Sequence, residues 1–172
     1  QNAIDLGALS SPLLIKGFRS IEKFIYRHAR YLTVHSPGNK KFITDLGIED
    51  EKVRVIHNWI NPEIFENCSG VSPLEEEIDI NEKFVVLFAG VMSYAQDMDV
   101  IVNAARLLKG ERKIVFLLVG DGSQKLKLLD RKRKYGLSNL ILHPFVPLSR
   151  YPDLVAQADV GLFTLKQDKI GR

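Results

Sequence analysis

The sequence predicts an α/β fold in which parallel sheets carry helices on both faces. Two observations lead there. Apolar runs repeatedly reach a glycine and then give way to a helical pattern, as in Phe84-Val-Val-Leu-Phe-Ala-Gly90 and in Ile114-Val-Phe-Leu-Leu-Val-Gly120, the second followed by Asp121-Gly122. Two further runs, Leu140-Ile-Leu-His-Pro-Phe-Val146 and Val160-Gly-Leu-Phe-Thr-Leu165, keep the rhythm. Near-continuous Val, Leu, Ile and Phe suit strands buried on both faces, which is the pattern of parallel sheets. Such sheets bind ligands beyond the carboxyl ends of their strands, where these glycines fall, so a nucleotide-type ligand is the first expectation.

The elements follow in order. Residues 12–30 read as an amphipathic helix opened by Ser11-Pro12, with Leu14, Phe18, Ile21 and Ile25 along one stripe. Lys16, Arg19, Lys23, Arg27 and Arg30 recur nearly opposite. Tyr31-Leu-Thr-Val-His-Ser36 reads as a strand that ends in a helix cap, with Pro37 at the first helical position. A short helix ends near Gly47, and Val53-Arg-Val-Ile-His-Asn-Trp59 is the next strand, completing a separate β-α-β unit. Between Asn61 and Glu82 the pattern fails: Pro62, Gly70, Ser72 and Pro73 interrupt it, and Glu75 to Glu77, Asp79 and Glu82 form an acidic cluster. Residues 61–82 therefore read as a linker, or a linker plus a short helical turn, between a first domain, 1–60, and a second, 83–172. Helices are expected near 98–109, 123–135 and 149–157. A doubly wound domain would be expected to continue past Leu165, so the second domain is read as cut short.

Composition narrows the class. At 172 residues, 45% hydrophobic and 26% charged, the chain is an ordinary globular one, and a net charge of +3 does not argue for nucleic acid. A single cysteine, Cys68, excludes a disulfide framework and fits a reducing compartment; Asn67-Cys-Ser69 would matter as a glycosylation site only in a secreted protein. No stretch approaches the roughly 18 apolar residues of a membrane span, and no signal peptide opens the chain.

Each candidate site residue has two readings. Gly90, Gly120 and Gly122 let a backbone approach a phosphate beside free helix N–H groups, or they serve strand-to-helix turns that bind nothing. Their spacing does not match the dinucleotide-binding fingerprint, which counts against a dehydrogenase. In the loop Val91-Met-Ser-Tyr-Ala-Gln-Asp97, Ser93, Tyr94 and Gln96 are possible ligand donors, whereas Asp97 is read as a helix N-cap. His57-Asn58-Trp59 could line a cleft at the domain boundary, and core packing is the favoured reading of Trp59. The cations of Lys125, Lys127 and Arg131 to Lys134 crowd a helix terminated by Gly136, where the helix dipole favours them. The basic face of the first helix is either a solvated face or a contact for anionic lipid headgroups. The four histidines and lone cysteine have no metal spacing, and no catalytic triad or dyad emerges.

With these residues laid out, the chain resembles the retaining glycosyltransferases of the GT-B fold, family 4 (glycosyl transferases group 1). Val53-Arg-Val-Ile-His-Asn-Trp-Ile-Asn61 is similar to the segment leading out of that family's acceptor domain. Phe88-Ala-Gly90, Leu117-Leu-Val-Gly-Asp-Gly122 and Ala158-Asp-Val-Gly161 resemble successive strand ends of its donor domain. His35-Ser-Pro-Gly-Asn39 and Tyr94-Ala-Gln96 look like a branch acting in surface-polysaccharide synthesis.

The resemblance implies Rossmann-like parallel sheets in two domains, both incomplete here: the end of the acceptor side, a linker and the first half of the donor side. It implies transfer of a hexosyl or N-acetylaminosugar from a UDP-linked donor to a lipid-linked or polysaccharide acceptor. Configuration is retained and no metal or other cofactor is needed; a cytoplasmic location is expected, and the basic helix at 12–30 fits work at the inner face of the cell membrane. The nucleotide site would comprise Gly90, Ser93, Gln96, Gly120, Asp121, Gly122, Phe145 and Val146, with Ser36 and Asn58 lining the cleft. The basic helix at 12–30 would touch the membrane. Two departures stand out. Val91 and Gln96 replace an arginine and a lysine that grip the diphosphate in many members, and the chain lacks both the glutamate pair that holds the sugar and the catalytic-site histidine. No catalytic residue is therefore assigned, and the fragment alone is expected to be inactive. The alternative is a non-catalytic Rossmann-like binding or interaction module. Gly120→Val is expected to abolish UDP binding while leaving the fold largely intact.

Overall fold

In a computed structural model, the structure describes residues 11–66, 68, 74, 78, 80 and 82–166. The run Glu75 to Glu77, Asp79, and the Asn67 and Ser69 of the possible glycosylation site lie outside the described residues. The chain forms two compact units that divide after Asn61.

The first unit begins with α1 (Pro12–His28), followed by β1 (Leu32–Val34), α2 (Pro37–Asp45) and β2 (Val53–Val55). β1 and β2 pair in parallel, with Leu32 opposite Val53 and Val34 opposite Val55. Ser36 caps α2 as its sequence position implies, accepting a hydrogen bond from the Asn39 N–H at 3.1 Å, with Pro37 at the first turn. Val34, Ile43, Ile48 and Val53 form a small core, against which Tyr26 of α1 packs. The rest of α1 does not follow the expected amphipathic burial. It has no buried residue, and Leu14, Phe18, Ile21 and Ile25 are each more than half exposed.

β2 is shorter than the expected Val53–Trp59 run because it has only the three residues of β1 to pair with. Past Val55 the chain makes one more ladder-like bond, from the Ile56 N–H to the Val34 carbonyl at 2.8 Å. Trp59 is 87% exposed, so its expected core packing is wrong.

The second unit contains α3 (Glu63–Glu66), β3 (Phe84–Val91), α4 (Met98–Leu107), β4 (Ile114–Asp121), α5 (Lys125–Tyr135), β5 (Leu140–His143), α6 (Tyr151–Ala156) and β6 (Val160–Gly161). All four strands are parallel in the order β5-β4-β3-β6. The expected two-faced burial is present residue by residue. Val86, Phe88, Phe116 and Leu118 face one cluster with Met98, Ile101, Val102 and Ala105 of α4 and Leu128 of α5. Val85, Leu87, Val115, Leu117 and Val119 face the other, with Leu154 of α6. Leu74 and Ile80, from the segment read as a linker, are buried in this second cluster.

Three smaller differences have physical reasons. β6 ends at Gly161 because it lies at the edge of the sheet and pairs only with the middle of β3. Asp97 occupies the N-cap position of α4 but makes no side-chain capping bond. Gly136 terminates α5 as read, in the left-handed conformation that glycine adopts without penalty.

Asp159 fastens the edge strand. Its carboxylate accepts the Val85 N–H at 2.7 Å while its own N–H donates to the Val85 carbonyl at 3.0 Å. Asp159→Ala leaves the Val85 N–H without this partner in a buried setting, so a loss of about 1–3 kcal/mol is expected in the chemical-denaturation midpoint.

Candidate functional site

The strand order locates the site before any side chain is considered. Crossovers run outward from β3 to β4 to β5, and the chain then returns to add β6 on the far side of β3. The order reverses between β3 and β6, and the carboxyl ends at such a reversal leave an open crevice. The loops after β3 and β4 and the segment after β6 border it.

The glycines shape this end of the sheet. Gly90 and Gly120 are register partners on β3 and β4, and Val91 faces Asp121. Gly120 and Gly122 both have φ of 149°, a conformation that side chains rarely adopt. A Cβ on Gly120 would overlap the Gly90 carbonyl oxygen, and one on Gly122 would overlap the Met92 backbone. The two strand ends are therefore pressed backbone to backbone. Met92, which no sequence signal singled out, is fully buried at the join. Its N–H donates to the Asp121 carbonyl at 2.8 Å, and its carbonyl accepts the Gln124 N–H at 3.0 Å.

This overturns the expectation that Gly120→Val would spare the fold. Gly90 differs: a Cβ there meets only the Phe88 ring, at an ordinary 3.9 Å.

The turn after β4 uses several of its own donors. The Gly122 N–H donates to the Asp121 carboxylate at 2.7 Å, and the Lys125 N–H donates to the Gly122 carbonyl at 3.0 Å. Lys125 also places its ammonium 3.2 Å from the same carboxylate. The Gly122 hydrogen bond, followed by that of Lys125, holds the Asp121 carboxyl below its ordinary pKa. Asp121 is thus ionised and committed to its own turn.

Ser93 and Gln96 are brought together by the loop after β3. The Gln96 side-chain oxygen accepts from the Ser93 hydroxyl and, at 3.2 Å, from the Ser93 N–H. The Ser93 hydroxyl in turn accepts the Ala95 N–H at 3.2 Å. These bonds set the loop's shape, with the Gln96 side chain used through its oxygen.

Phe145 stands over this junction, its ring 3.4 Å from where a Gly120 Cβ would be, and is 55% exposed. With Val146, Ala89, Gly90, Val119 and Tyr151 it lines a depression of about 80 Å³. That is smaller than the roughly 300–1,000 Å³ of pockets that enclose small ligands, so this is an open surface rather than an enclosing pocket. A larger depression of about 400 Å³ lies at the opposite, amino end of the sheet among Lys83, Lys109, Arg112 and Asn139. It has neither the strand reversal nor the close-packed glycines.

In the first unit, Ser36 is engaged as a helix cap and Asn58 is exposed beyond the end of β2. Among the described residues no three His, Cys, Asp or Glu side chains gather as a metal site, and no helix is long and apolar enough to cross a membrane.

Comparison with known proteins decides the family. The model of the glycosyl transferases group 1 family matches residues 74–172, more than half of the chain. The chain belongs to the glycosyl transferases group 1 family. It is similar to the putative colanic acid biosynthesis glycosyl transferase WcaI of Escherichia coli K12, 26% identical over 124 residues that cover 70% of this chain and 30% of WcaI. Its fold is similar to that of Anabaena HepE, crystallised with UDP-glucose, with a TM-score of 0.71 and 21% identity over 86% of this chain and 41% of HepE. A glycosyltransferase from Rickettsia africae matches with a TM-score of 0.67 and 18% identity, over 83% of this chain and 40% of that one. The Rossmann-like α/β architecture is that of GT-B glycosyltransferases. The chain thus spans less than half the length of each of these relatives.

Gly120→Ala is expected to add about 1–3 kcal/mol of backbone strain to the steric overlap, enough to remove a cooperative thermal transition. Gly90→Ala should keep that transition within about 1 kcal/mol of the parent. The Gly90 variant is therefore the one in which binding can be read separately from folding.

Proposed function

We propose that these residues form the donor-side half, and part of the acceptor side, of a glycosyltransferase that moves a sugar from a UDP-linked donor to a lipid-linked or polysaccharide acceptor. The observation that carries this reading is the paired-glycine junction of β3 and β4 beside the strand reversal, in the part of the chain that matches the family. HepE, which has this fold, binds UDP-glucose, and the relationship to WcaI supports a polysaccharide product.

On this reading the diphosphate lies against Gly90 and the loop holding Ser93 and Gln96, with Gly120 to Gly122 shaping the floor. The base lies along Phe145 and Val146. Charge developing on the departing diphosphate is met by donors already fixed in place, which lowers the barrier without reorganisation during the reaction. The transferred group is a hexosyl or N-acetylaminosugar residue, configuration is retained, and no resident metal takes part. Ser36 and Asn58 face the acceptor. Residues 1–172 alone are expected to bind the nucleotide weakly at best and not to turn the donor over.

The second reading, a non-catalytic module, draws on the internally satisfied N–H groups of Gly122 and Gln124. Calorimetric titration separates the two. UDP and UDP-hexoses should bind and compete with one another, NAD should not bind, and Gly90→Ala should weaken UDP binding. Complete indifference to UDP would favour the module.

The proposed setting is the cytoplasmic membrane face, reached through α1. Its apolar residues Leu13, Leu14, Phe18, Ile21, Phe24 and Ile25 are all exposed, and Lys16, Arg19, Lys23 and Arg27 share the helix. Apolar side chains with nearby cations favour an anionic bilayer surface. Flotation with phosphatidylglycerol vesicles should carry the protein, Phe18→Glu should abolish this, and neutral vesicles should carry far less. Equal flotation with both vesicle types, or with neither, would reject this contact.

A further inference from the structure

A diphosphate carries concentrated negative charge, and among the described residues few groups of the crevice oppose it. The loop from Met92 to Asp97 contains no lysine or arginine, and neither does the turn from Gly122 to Gln124. The cations near the carboxyl ends of the strands, among the described residues, are Lys125, Arg150 and Lys166. Lys125 is already paired with Asp121 at 3.2 Å. Arg150 directly precedes Tyr151, at the Phe145 side of the crevice where the base is placed, whereas the loop after β3 is met by the segment after β6. Lys166 remains.

Its position is built rather than incidental. After β6 the chain runs on beside β3, with the Leu162 N–H bonded to the Leu87 carbonyl at 2.7 Å. It then reaches the loop after β3, where the Lys166 N–H donates to the Ala95 carbonyl at 3.0 Å. The Lys166 ammonium sits 5.2 Å from the centroid of the Tyr94 ring. A cation over an aromatic face is held without being neutralised, so it keeps its full charge for an anion. The two segments that meet here flank the strand reversal, and the meeting point adjoins Ser93 and Gln96.

We propose that Lys166, steered by Tyr94, is the cationic ligand of the donor's diphosphate, reaching it from the segment after β6 rather than from the loop after β3. This rests on the donor-site reading above. It implies that specificity for a diphosphate over a bare nucleoside resides largely in one side chain contributed across the switch point.

The test compares UDP with uridine, by calorimetry or ligand-observed NMR, in the full chain at low and moderate salt. The parent protein should bind UDP at least about tenfold more tightly than uridine, the scale of one charge-assisted hydrogen bond. Raising salt should erode the difference. Lys166→Gln should bring UDP down to the uridine level and leave uridine unchanged, Lys166→Arg should restore most of the preference, and Arg150→Gln should leave it intact. Tyr94→Leu should lower UDP affinity severalfold with uridine unaltered.

If Lys166→Gln keeps the full preference for UDP, or if Arg150→Gln removes it, Lys166 is not the ligand while the donor-site reading stands. If the parent binds neither UDP nor uridine, the donor-site reading fails and this proposal falls with it.

Discussion

Everything at the carboxyl end of the second unit depends on how closely β3 and β4 approach there. Ordinary parallel strands keep a Cβ on every residue. At Gly120 and Gly122 the φ of 149° turns the position where a Cβ would sit straight into the backbone of the neighbouring strand end. Because both positions are glycine, Gly90 and Met92 come into direct backbone contact with the turn after β4, and Met92 is bonded on both sides of its peptide. The loop after β3 is thereby launched from a fixed point. Ser93, Gln96 and the start of α4 inherit their places from that contact. Glycine here is a steric requirement first, and any gain for ligand approach follows from the flatness it creates.

This alters how the turn functions. A strand–glycine–helix sequence invites the idea of free N–H groups aimed at a phosphate, yet Asp121 claims the Gly122 N–H and Met92 claims that of Gln124. Two of the turn's N–H groups are thus spent within the fold. On the proposed donor-site reading, an anionic ligand would be met by the Gln96 amide, the backbone at Gly90 and the segment after β6. The depression of about 80 Å³ beside Phe145 is in keeping with an open surface rather than an enclosed pocket.

Much of the fold was legible because its signals are local. The runs Phe84 to Val91 and Ile114 to Asp121 alternate their burial between two apolar clusters, and that two-sided demand is written directly in their composition. Ser36, Pro37 and Gly136 act within a turn or two of themselves and were equally readable. What the sequence hid were properties that depend on partners. Trp59 and the stripe of α1 look like core because they are apolar, but exposure depends on which surfaces come to meet them. Met92 gave no sign because its role lies in its backbone. Asp97 has the right chemistry for a cap, but its side chain is not used for one. The roles of Ser93 and Gln96 were half visible: both were singled out as polar, but their bonds to each other emerge only from the folded loop.

The measurement that tests the central claim most directly is a backbone amide NMR titration of the protein with UDP. The account predicts that perturbations concentrate at Gly90, Ser93, Gln96, Gly120 and Lys166, with smaller effects near Phe145 and none at the amino-end depression around Lys83 and Asn139. Saturable shifts clustered at that amino end, or no saturable shifts at all, would contradict it.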